Sequence, residues 1–241
     1  MIYGNRRLSL LAVWAVFLLL GILMFQFLHE CGHGLGAKLE GYQVSTGFDK
    51  VGDVGKRPSV PDFRLNKMVL GGWNASDFFG PLANWLFAGI LAALFLRQKT
   101  ADHLALLIGS GAILNAFMRF FPMLMFFVSA LQGRFLLEDE VALGLSAIKG
   151  LNFPMRSLNF NNLSAEQSSL FLSEAAIYFW PAVSFLISTI SLALSYRQIN
   201  LLIRRKTASP IFRWLFMFMP LIIWPLAFLV GKRLDNLIRI N

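Results

Sequence analysis

Two histidines and a glutamate stand within one helical turn in the segment Phe27-Leu28-His29-Glu30-Cys31-Gly32-His33-Gly34, which reads H-E-x-x-H. On a helix, positions i and i+4 share a face, so His29 and His33 can present ring nitrogens to one metal ion. Glu30, one residue round, can reach a water held there. With only three His in the chain, chance placement gives this pattern roughly once in a thousand such sequences. Two imidazoles and a water leave a tetrahedral zinc one protein ligand short, and catalytic zinc with a histidine pair commonly takes a carboxylate as the third. Outside the motif, Glu138-Asp139-Glu140 is the one acidic cluster that directly follows an apolar run and opens a helical candidate. Asp139 is the choice within it, with Glu138 and Glu140 as alternatives. The same acids can also cap the following helix, whose N-terminus favours negative charge.

The elements that must carry these side chains follow from composition. Of 241 residues, 56% are hydrophobic and 15% charged, with mean hydropathy +0.61, whereas a soluble chain carries about 25% charged residues. An all-α polytopic membrane protein is expected. Leu8 to Leu28 would rise about 31 Å as a helix, enough to cross a bilayer once. It reads as a retained span and not a removed signal, because the apolar core is too long and no small-x-small site follows. Further runs are Phe78–Leu96, a third from His103 past Asn115, Arg119 and Pro122 to Leu131, then Phe171–Tyr196 and Ile211–Val230. The third reads either as one kinked span or as a span followed by a surface segment. Five or six transmembrane helices result. Gly41 to Asn74 is polar and holds Pro58 and Pro61, which fits turns and short strands, in the manner of a β-hairpin, after the first span. Val141 to Leu151 is helical but too short to cross. The organisation is one membrane domain over 1–241, with a core over 1–140 and a short helix plus two C-terminal spans over 141–241.

The net charge of +9 sits in short clusters beside apolar runs, as membrane flanks do, with no basic stripe interleaved with aromatics; nucleic acid is not an expected partner. The single Cys31 excludes an intramolecular disulfide and is read as buried filler. Arg6, Arg7, Arg97, Lys99, Arg197, Arg204, Arg205, Lys206 and Arg213 gather on one face in short segments, which places the N-terminus inside by the positive-inside rule.

The Phe27-to-Gly41 segment, with H-E-x-x-H followed by Gly34-x-Gly36-Ala37 and a later Gly41, resembles the site-2 protease family of intramembrane zinc metallopeptidases. Gly80-Pro81-Leu82-Ala83-Asn84, in the second run, is similar to a Gly-Pro-x-x-Asn element of that family. The resemblance covers about residues 8 to 140. The family's Asn-x-x-Pro followed closely by Leu-Asp-Gly is absent, since Asn115 and Pro122 are seven apart and the acids read Leu137-Glu138-Asp139-Glu140, so a divergent branch is implied. The implied activity is zinc-dependent hydrolysis of a peptide bond in or near a transmembrane segment of a membrane-protein substrate, in a multi-pass protein of the cell membrane or, in bacteria, the inner membrane. Glu30 would be the proton acceptor, His29, His33 and Asp139 the Zn2+ ligands. Asn84 or Asn115 can donate to the developing oxyanion or hydrogen-bond helix to helix. The Gly41–Asn74 loop can offer a strand beside the substrate or simply connect two spans. The resemblance also implies a site reached from the cytoplasm, against the charge bias.

Two other classes stay in view: a catalytically silent relative that binds partner helices, and a membrane zinc hydrolase acting on a lipid-modified substrate. Gly32 and Gly36 have the small-xxx-small spacing that permits close helix packing. Arg119, inside an apolar run, can pair with an acid of the active region, gate substrate, or snorkel to the interface.

Overall fold

The structure is a computed structural model and describes residues 2–47, 51–53, 75–97, 102–146, 148, 163–234 and 239–240. The described residues are mostly helical: α1 (Ile2–Leu39), α2 (Ala75–Arg97), α3 (Asp102–Leu131), α4 (Asp139–Ser146), α5 (Ala165–Leu172), α6 (Ala176–Lys206) and α7 (Pro210–Leu234). Three short strands accompany them: β1 (Val44–Gly47), β2 (Val51–Asp53) and β3 (Arg239–Ile240).

Four of these helices, α1, α2, α3 and α6, are long and apolar enough to cross a membrane. They leave Leu20, Ile90, Leu107 and Leu186 exposed along their lengths, a surface that hydrocarbon can cover and water cannot do so favourably. The fifth apolar run forms α7, whose described side chains include a shorter apolar stretch, Pro210–Pro225. The third run is one helix, continuous through Pro122.

Three boundaries differ from expectation for physical reasons. The first helix does not stop at Leu28; it continues to Leu39, so the histidine motif lies within the helix and not at its end. The run beginning at Phe171 is two elements. A capping box, in which Ser164 accepts from Gln167 N and Gln167 returns the bond, starts α5, and Ser173-Glu174-Ala175 interrupts the chain before α6 begins at Ala176. The short helix expected at Val141–Leu151 begins earlier, at Asp139, and its described part ends at Ser146, with 147 and 149–151 outside the described residues.

The central helix is α3, with 72% of its apolar stretch buried against 28%, 39% and 33% for α1, α2 and α6. Trp14, Leu18 and Ile22 of α1 pack with Leu106, Ile113 and Phe117 of α3, Ile199 and Ile203 of α6, and Phe216 of α7. A second cluster, Phe126, Phe135, Val141, Leu145, Phe171 and Ile177, seats α4 beneath the start of α6. At Gly144 the approach is so close that an added Cβ would lie 2.5 Å from Ile177 Cα. The sheet order is β2-β1-β3, with β1 antiparallel to both neighbours and paired through Thr46↔Val51 and Thr46↔Ile240. The 48–50 connection and 54–74, with Pro58 and Pro61, lie outside the described residues.

Candidate metal centre

His29 and His33 belong to a buried stripe of α1 that begins in the apolar core as Trp14, Leu18, Ile22 and Phe25. Helical periodicity carries that stripe downward by i+3 and i+4 steps, so both imidazoles inherit the buried face. Their Nε2 atoms lie 3.1 Å apart. The Asp139 carboxylate closes the triangle, its Oδ2 3.3 Å from His29 Nε2 and 3.3 Å from His33 Nε2. A tetrahedral zinc with bonds of about 2.0–2.1 Å places neighbouring ligand atoms roughly 3.3 Å apart. Two nitrogens and a carboxylate oxygen at these separations therefore fit zinc in both donor chemistry and size.

Asp139 arrives from sequence-distant chain through a tight reversal. Helix α3 is closed off just past Leu131 by Gly133, whose φ is +70°; Gly133 N donates to Ala130 O at 2.9 Å and Arg134 N to Ser129 O at 2.9 Å, the paired bonds of a left-handed helix stop. Six residues after Gly133, α4 opens on Asp139 and Glu140. Both acids thus occupy the favourable N-terminal turn while one of them reaches the histidines. Among the described residues, His29, His33 and Asp139 are the group of at least three ligand-type side chains close enough to share a metal.

The histidine orientation has its own support. His33 Nδ1 lies 2.6 Å from the Ser76 carbonyl; an N–H donated there leaves Nε2 with a lone pair facing Asp139 and His29. The Ser76 hydroxyl donates back to His33 O at 3.0 Å, and Glu40 accepts from Ala75 N, so the first turn of α2 is stitched onto α1. Gly32 and Gly36 permit that contact: a Cβ on either would strike the α2 backbone at Phe79 or at Ala75 and Ser76. Gly80 does the same for the ring, since a Cβ there would overlap His33. Glu30, next to His29 in sequence, is buried as well.

Arg119 pairs with the acids. Its Nη1 donates to Asp139 Oδ2 at 3.0 Å and to Glu140 Oε2 at 3.3 Å, and its Nε donates to Met118 O at 2.8 Å. Glu140 is fully buried and accepts the Ser184 hydroxyl at 2.6 Å. Burial pushes the Glu140 carboxyl above the ordinary carboxylate range, and Arg119 pulls it back. With Glu140 committed to Arg119 and Ser184, Asp139 is the member of the acidic trio that stands at the histidines.

Asn84 and Asn115 sit one turn further along, Asn84 four residues after Gly80 and Asn115 four before Arg119. The structure ties them together across α2 and α3: Asn84 Nδ2 donates to Asn115 Oδ1 at 3.0 Å, and Asn115 Nδ2 to Gly111 O at 2.8 Å. The helix-to-helix hydrogen bond is therefore present in the structure. Strand β1 lies against α1 beside the motif, where a Cβ on Gly34 would meet Thr46 Oγ1. Sequence reasoning missed Ser76, Gly80's contact with the ring, Ser184 and Trp85; only the position of Gly80 within its Gly-Pro-x-x-Asn segment hinted at one of them.

Comparison with protein-family models, with curated proteins and with solved structures finds no match to this chain.

Proposed function

We propose that this protein is an intramembrane zinc endopeptidase that hydrolyses a peptide bond in or near a membrane-spanning segment of another protein, a reading the resemblance to site-2 proteases supports. The observation that carries it is the near-equilateral triangle of His29 Nε2, His33 Nε2 and Asp139 Oδ2, with edges of 3.1, 3.3 and 3.3 Å, its two histidines, with Glu30 next to His29 in sequence, on a helix long and apolar enough to cross a bilayer. Zinc, when bound, supplies Lewis acidity that polarises the scissile carbonyl and acidifies water. His29, His33 and Asp139 would hold the ion. The Glu30 carboxylate takes the proton of the attacking water and returns it to the amine nitrogen as the C–N bond breaks. The bilayer is crossed five times, α7 being the fifth crossing with its apolar run continuing in sequence to Val230.

An unwound substrate needs backbone partners once it leaves its own helix. Because β1 is paired on both sides, a substrate strand joins the outer edge of β2 or replaces β3.

The test is cleavage by purified, zinc-loaded protein of membrane-segment peptides, a lipid amide and a prenylated peptide side by side, with wild type and Glu30→Gln. Cleavage of the membrane segments by wild type alone is expected. Full activity in Glu30→Gln rejects the mechanism, no cleavage of any substrate by zinc-loaded wild type points to a silent binder, and cleavage confined to the lipid substrates moves the activity to another class.

A further inference from the structure

Buried arginine and glutamate in an apolar bundle call for an explanation, since a buried ion pair is often no more stabilising than apolar residues of the same volume and costs free energy to place in lipid. Arg119 and Glu140 are such a pair, 6% and 0% exposed. Their placement relative to Asp139 supplies the explanation. We propose that Arg119, held by Glu140, is a positioning residue that aims the Asp139 carboxylate at the two imidazoles and so sets the metal affinity of the site; this rests on the zinc reading above.

The argument is one of constraint. Asp139 stands in the first turn of an eight-residue helix, and its side chain is 15% exposed. Arg119 Nη1 touches the very oxygen, Oδ2, that lies 3.3 Å from both ring nitrogens. The guanidinium is itself fixed twice, by its Nε bond to Met118 O and by Glu140 Oε2. Glu140 in turn is anchored on α6 by Ser184, which receives the Trp85 indole N–H at 2.9 Å. Trp85 stacks on Trp180, centroids 6.0 Å apart and planes 13° off parallel, and Trp180 lies one turn before Ser184 on the same helix. The ligand oxygen is thereby referenced to α2, α3 and α6 as well as to its own α4. Outer partners that orient a metal ligand commonly change metal affinity by about 10–100-fold when removed.

The test uses the full-length purified protein and two readouts apart from activity: the zinc dissociation constant from competition with a chromophoric chelator, and the visible ligand-field spectrum of the cobalt(II) form. Arg119→Gln is expected to keep its helical circular dichroism, bind zinc about 10–100-fold more weakly and shift the cobalt bands. Arg119→Lys is expected to recover part of the affinity, because an ammonium reaches Asp139 without the Met118 anchor. Ser184→Ala, acting through Glu140, gives a smaller loss in the same direction. On an Asp139→Asn background, Arg119→Gln is expected to add no further loss. A folded Arg119→Gln with wild-type affinity and spectrum overturns the proposal, as does full additivity with Asp139→Asn. Should Arg119→Gln fail to fold, a folded Ser184→Ala indistinguishable from wild type in both readouts overturns it instead. If wild type binds neither zinc nor cobalt, the metal reading falls and this proposal with it; wild-type binding alongside an indifferent Arg119→Gln removes the positioning role alone.

Discussion

The buried face of α1 is one stripe with two chemistries. Its upper half, Trp14, Leu18 and Ile22, packs into a core with Leu106, Ile113 and Phe216. Its lower half continues the same geometry as His29 and His33 and meets Asp139. The upper contacts are non-directional, so their free energy scales with apolar area and tolerates swaps that conserve volume. The lower ones depend on particular atoms at particular distances, down to the Ser76 carbonyl that fixes one ring's lone pair. Even the polar contact of the upper half, Trp14 Nε1 to Phe216 O at 3.1 Å, serves packing, whereas in the lower half packing serves the polar contacts, through the room left by Gly32, Gly36 and Gly80. A helix can thus carry a stability determinant and a site along one line of residues, and substitutions should separate them.

The largest separation is expected at Glu30. Glu30→Gln should lower peptide cleavage by about 10²–10⁴-fold while zinc content and thermal stability stay those of wild type, measured on the same preparation. Leu18→Ala, or Trp14→Ala, should do the reverse, costing about 2–5 kcal/mol of stability from the cavity left behind, with zinc affinity of the remaining folded protein unchanged. A loss of metal in Leu18→Ala comparable to that from a ligand substitution would show that the two halves are not separable.

These two halves were not equally readable from the chain. His29 and His33 are four residues apart in one helix, with Glu30 next to His29, and local geometry alone puts the rings together. Asp139 is far away in sequence; only the scarcity of acids after an apolar run singled it out, and nothing local told it from Glu138 or Glu140. The choice becomes physical when Glu140 is seen bound to Arg119 and Ser184. Arg119 was legible as a residue needing a partner, since an apolar run gives a guanidinium none, but Ser184 is one serine among many on α6 and carried no signal. The boundary at Phe171 was missed because hydropathy is blind to a short turn between apolar helices, although Ser164 and Gln167 stood at capping-box spacing. Asn84 and Asn115, read as oxyanion donors or as a bond between helices, make that bond through Asn84 Nδ2 and Asn115 Oδ1, a pairing that no local pattern in the sequence announces.

Finer substitutions sharpen the contrast on α2. Gly80→Ala puts a methyl group into the His33 ring and should weaken zinc binding by about tenfold, as for other changes behind a ligand, readable by chelator competition. Gly89→Ala, nine residues on and facing open space, should leave zinc untouched and change stability by no more than about 0.5–1 kcal/mol, in the stabilising direction.

The most direct measurement is zinc K-edge absorption spectroscopy of purified wild type beside His33→Ala and Asp139→Asn, with metal content determined on each. One zinc per chain is predicted in wild type, with two imidazole nitrogens and light oxygen or nitrogen neighbours at about 2.0–2.1 Å, and each variant should lose the metal or one shell of neighbours. Wild type without zinc after loading, or an unchanged spectrum and full occupancy in His33→Ala and Asp139→Asn, would contradict a metal held by His29, His33 and Asp139.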